Sequence, residues 1–156
     1  MTTPTQTPKG RLLLIPNTLD FGCVDHPDAV LPDLRHTLPM SVLTAAAHLQ
    51  HWVCENAKTT RAFLKRVNLV VPLASPLQAL DIQVLPRPNK GGEKSANKTH
   101  KTLVSKPVVD PDADINALLA PALTGQDIGL MSEAGLPGVA DPGALQAFKD
   151  ALTADP

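Results

Sequence analysis

Gly125-Gln-Asp-Ile-Gly-Leu-Met-Ser-Glu-Ala-Gly-Leu-Pro-Gly-Val-Ala-Asp-Pro-Gly143 is the stretch whose reading decides the fold. Ile128 to Met131 is a short apolar run, long enough for a buried strand and too short for a helix. It leads into a loop built mostly of Gly, Ala and Pro, in which Ser132, Glu133 and Asp141 carry the strong polar groups. Glycine permits φ > 0 and lets backbone approach a ligand closely, and proline stiffens the path. At the carboxyl end of a parallel strand, such a loop is where open α/β sheets bind ligands. A tight structural turn uses the same residues, so both readings stand at this point.

Working outward, the chain alternates strand and helix signals. Arg11 to Ile15 is an apolar run stopped by Pro16 and Asn17. Residues 16–39 hold several prolines and little periodicity, and read as a long ordered loop. Met40 to Gln50 is a helix, with Val42, Leu43, Ala46 and Leu49 at helical spacing. Trp52-Val-Cys54 is the second strand. Asn56 caps a helix over residues 57–66 whose buried side carries Phe63, Leu64 and Val67. The third strand lies within residues 77–85. A helix beginning at Asp112 or Asp114 runs through Leu118, Leu119 and Leu123 to a stop at Gly125. The fourth strand and its loop follow, then a helix from about Gly143 with Leu145, Phe148 and Leu152. The order β-α-β-α-β-α-β-α predicts an α/β domain with a mainly parallel open sheet and flanking helices.

Composition narrows the function classes. The 156 residues suffice for one domain, and 43% of them are hydrophobic. The net charge of −1 provides no global field toward nucleic acid or membrane. No apolar run reaches the roughly 18 residues of a membrane-spanning helix. Residues 1–9 lack the apolar core of a signal peptide and read as a disordered leader. Cys23 and Cys54 form no metal-binding pattern, and are expected to be reduced thiols of a cytoplasmic protein. His48 and His51, three apart without a further ligand, read as surface histidines. Residues 87–110 replace apolar periodicity with Arg87, Lys90, Lys94, Lys98, Lys101 and Lys106, and are expected to form a flexible basic insertion. It could attract phosphate, but has no aromatic residue for base stacking.

The loop resembles the Ser-Asp-Ala-Gly-Thr-Pro-Gly-Ile-Ser-Asp-Pro-Gly loop of the tetrapyrrole-methylase superfamily of S-adenosylmethionine-dependent methyltransferases. It is most similar to the ribosomal RNA small subunit methyltransferase I branch, which methylates a ribose 2′-hydroxyl. Gly10-Arg-Leu-Leu-Leu-Ile-Pro16 looks like the family's opening strand and its Pro-containing loop. Val53-Cys-Glu-Asn-Ala-Lys-Thr-Thr-Arg-Ala-Phe-Leu64 looks like its Ala-Glu-Asp-Thr-Arg-x-Thr-x-x-Leu-Leu segment. The three matches occur in family order. Glu133 stands where the family loop has Asp, and Leu136 where it has Thr. A His-Glu-His-like element that the branch carries after its third strand has no counterpart here; His100 lacks the surrounding pattern.

The resemblance implies S-adenosylmethionine as cofactor, held in a cleft between two α/β domains. By position, the cofactor-binding residues would be Pro16 in the first loop, and Ser132, Glu133, Ala134, Gly135, Val139, Ala140, Asp141 and Pro142 in the second. Asp141-Pro142 equally suits a helix start. Glu55 and Arg61 would be catalytic: the carboxylate orienting or deprotonating a ribose hydroxyl, the guanidinium gripping a phosphate. Their alternatives are an acid favoured at a helix N-terminus and a solvent-facing arginine. No metal is implied. The implied partner is ribosomal RNA or the small ribosomal subunit, with no membrane, and a homodimer stays open. The resemblance also implies strand order 3-2-4-1, a fifth strand and a second domain. Residues 10–156 therefore read as an incomplete N-terminal domain, truncated before the fifth strand and expected to be inactive alone. Methylation of a tetrapyrrole or other small molecule, and an inactive fragment acting as an interaction module, are the competing readings.

Overall fold

A computed structural model describes residues 8–19, 30–85, 111–138, 148–150 and 153. Its elements are β1 (Leu12–Leu14), α1 (Met40–His48), β2 (His51–Cys54), α2 (Ala57–Asn68), β3 (Asp81–Val84), α3 (Pro111–Leu123) and β4 (Ile128–Met131), with 3-10 turns at Leu34–His36 and Leu77–Ala79. The four strands form one sheet in the order β1-β4-β2-β3, with every neighbouring pair parallel. Read from the other edge this is the expected 3-2-4-1. The register sets Ile128 opposite both Leu12 and His51, so the strands end nearly level.

Burial explains the alternation along each strand. Trp52, Met131 and Leu13 face a cluster containing Leu43, Ala46 and Ala47 of α1 and Phe63, Leu64 and Val67 of α2. Val53, Ile128 and Leu130 face the other cluster, with Leu118, Leu119 and Ala122 of α3 and Phe148. Helices on both faces bury a parallel sheet completely, which is why β4 is apolar at every position. Among the described residues no helix is long and apolar enough to cross a membrane.

The caps follow local chemistry. Asn56 sits in an extended conformation, and its side-chain oxygen accepts from the amides of Lys58 and Thr59 at 2.9 and 3.4 Å. Gly125, at φ 91°, ends α3. At that end Leu123 is 47% exposed, whereas Ala122 is fully buried. At about 3.6 residues per turn Ala122 falls between Leu118 and Leu119 around the axis, and Leu123 lies roughly a quarter turn off the stripe. The leader before Pro8, Cys23, the basic insertion at 87–110, and residues 139–147 lie outside the described residues.

Candidate functional site

Because the strands are parallel, the loops that follow them all emerge at one edge. The order β1-β4-β2 makes three of those loops neighbours. Ile15 extends the ladder by donating its amide to Leu130 O (2.9 Å), and Glu55 does so by donating to Met131 O (3.3 Å). The chains after β1 and β4 then meet in an isolated antiparallel bridge. Asn17 N–H donates to Gly135 O at 2.9 Å, and Gly135 N–H returns to Asn17 O at 3.1 Å.

Glu133 is the hub of this edge. Its amide donates to Glu55 Oε2 at 3.0 Å. Its carboxylate Oε1 accepts from Asn56 Nδ2 at 2.6 Å. Its backbone carbonyl accepts from Asn17 Nδ2, also at 2.6 Å. Ser132 is almost fully buried, and its hydroxyl turns back to Ala134 O (3.2 Å). Gly135 adopts φ +73°, and among the described residues no atom beyond its chain neighbours lies within 4 Å of where a Cβ would stand. The half-buried Gly135 therefore leaves room where a side chain would stand, beside an exposed Leu136.

The edge is acidic. Glu55 and Glu133 have no cationic partner among the described residues, and both carboxylates accept hydrogen bonds instead. Below them, burial pushes the thiol of Cys54 up, so it stays protonated and unreactive near neutral pH.

The structure brings together Pro16, Glu55, Ser132, Glu133, Ala134 and Gly135. Arg61 is exposed on α2 and makes no hydrogen bond or ion pair among the described residues, yet its charge acts on Cys54 beside Glu55. Val139, Ala140, Asp141 and Pro142 lie outside the described residues. Two contributors escaped the sequence reading. Asn17 follows the noted Pro16 directly, yet a single Asn after a strand has no distinctive spacing. Arg66 reaches Thr18 Oγ1 (3.3 Å) and Pro32 O (2.8 Å), fastening the β1 loop to α2 across a separation no periodicity predicts. Asn56 was legible only as a cap.

The opposite, amino edge holds a groove of about 440 Å³ lined by residues including Arg11, His48, His51, Gln126 and Asp127. Its charged and histidine side chains are engaged within the protein. Arg11 pairs with Asp127 at 2.6 Å, His51 with Asp81 at 3.3 Å, and His48 Nδ1 meets Thr44 O at 2.8 Å. No group of three or more metal-binding side chains occurs among the described residues. No protein-family model matches the chain, and no curated protein matches it.

Proposed function

We propose that this α/β domain binds S-adenosylmethionine at the carboxyl edge of its sheet and belongs to a methyltransferase acting on a ribose hydroxyl of small-subunit ribosomal RNA. The observation that supports the reading best is the side-chain-free space at Gly135, a positive-φ glycine in a loop tied to the loops after two neighbouring strands. The residues present suit the donor. Backbone groups around Gly135 can meet its flat and zwitterionic parts, and the Glu133 carboxylate favours its positive charge. When bound, the donor supplies an electrophilic methyl group. This chain's residues bind and orient it. The RNA substrate rests on the resemblance of the Gly/Pro loop and of the Glu55 segment to the ribose-methylating branch.

A titration of S-adenosylmethionine into isotope-labelled protein tests the proposal. Amide shifts are expected at Asn17 and at Ser132 to Gly135, saturating at low affinity if a second domain normally covers the site. Shifts confined to the amino-edge groove, or none, would overturn it. Gly135→Val should lower the melting transition modestly, because a side chain at φ +73° is strained by about 1–2 kcal/mol even where the Cβ position is open. It should weaken binding about tenfold or more, since a branched residue resists φ > 0 and blocks close approach. Undiminished affinity would make the loop a structural turn.

A further inference from the structure

The hub at Glu133 has a composition that a solvated loop does not require. Three different groups of one residue are held by three side chains, from the ends of two other strands. Glu55 takes the amide, Asn56 the carboxylate and Asn17 the carbonyl. Each asparagine also uses its other end locally. Asn56 Oδ1 caps α2, and Asn17 Oδ1 accepts from the Thr18 amide (2.9 Å). The amide group is the side chain that can do both, because it donates at one end and accepts at the other. An aspartate of the same shape would set a second oxygen against an oxygen of Glu133.

We propose that Glu55 is a positioning residue which, with Asn56 and Asn17, clamps Glu133 and so fixes the path of the loop that carries Gly135. Glu55 serves here as a hydrogen-bond acceptor for the loop amide. The role expected from the sequence, deprotonating a substrate hydroxyl, is not needed to account for its geometry. The consequence for ligand binding rests on the donor reading above; the clamp itself does not.

Amide hydrogen exchange on the full chain separates the two. Glu55→Ala should speed exchange at Glu133 by about tenfold or more, the loss of a hydrogen bond to a charged acceptor. Glu55→Gln keeps a carbonyl acceptor at the same reach and should stay within about threefold of wild type. Asn56→Asp preserves the cap, so the Lys58 and Thr59 amides stay protected, while Glu133 and Gly135 exchange faster. If Glu55→Ala leaves Glu133 as protected as wild type, or if Glu55→Gln exposes it equally, the clamp is wrong. Should Glu55→Ala unfold the chain, seen as lost protection at Leu130, the Gln and Asp variants decide alone. Failure of wild-type protein to bind S-adenosylmethionine would overturn the donor reading and leave the exchange result standing. If it binds, affinity should fall about tenfold with Glu55→Ala and be retained with Glu55→Gln; equal losses in both would overturn positioning.

Discussion

At the scale of single residues, the same chemistry has different consequences at different places. Arg35 lies against Asp33 in the 3-10 turn, donating from its backbone and guanidinium at 2.6–3.0 Å. These bonds hold the Asp33 carboxyl at about 2, against an ordinary 3.8. The folded value is depressed, so any stability it brings is complete above the ordinary value and vanishes as pH falls through 2. The pair is exposed and screened, so it should not move the melting curve. A carboxyl titration followed by NMR should show a midpoint near 2 for Asp33, rising toward 3.8 in Arg35→Gln; an unchanged midpoint would mean that the ion pair does not persist in solution. Local roles of this kind were partly legible. Asn56 as a cap needed only its place before a helical run. Its second bond to Glu133 joins residues 77 apart, and no local pattern encodes that.

At the scale of elements, the central strand shows how packing selects a residue. β4 is flanked by β1 and β2, and Gly129 faces the α1 and α2 side. A Cβ there would stand 2.9 Å from Trp52 Cε3 and 2.9 Å from Leu49 Cδ1. The glycine weakens a strand in isolation, yet it makes room for the indole, which is 1% exposed. Gly129→Ala should therefore destabilise the fold by about 1–3 kcal/mol, the usual range for overpacking, measured by denaturant unfolding; a neutral result would show that Trp52 can move aside. The existence and type of β4, α1 and α2 were readable because each has a strong period or a bounded apolar run.

For the whole molecule, the decisive contact is the one that seats the N-terminal strand. Gly10 donates to Ala122 O at 2.7 Å, and Arg11 then pairs with Asp127. A Cβ on Gly10 would fall 2.0 Å from the backbone oxygen of Gln126, which has no flexible arm to swing away. Gly10→Ala should cost about 2 kcal/mol or more, read as a lower unfolding midpoint. It should also loosen the amides of β1 before those of β2, and uniform loosening would mean that β1 is not the element displaced. The alternation of apolar strands with amphipathic helices predicted, from sequence alone, a mainly parallel sheet with flanking helices, because each element must bury its apolar side and a layered α/β arrangement buries all of them. The loop after Met131 could likewise be marked as special from its glycines and prolines. Tertiary structure alone decided that Asn17, Glu55 and Asn56 converge on Glu133. Those contacts depend on which strands become neighbours, and on a few ångströms of register between segments far apart in the chain. Hydrophobic periodicity carries information along one element at a time, whereas a polar cluster is specified by the distances between elements.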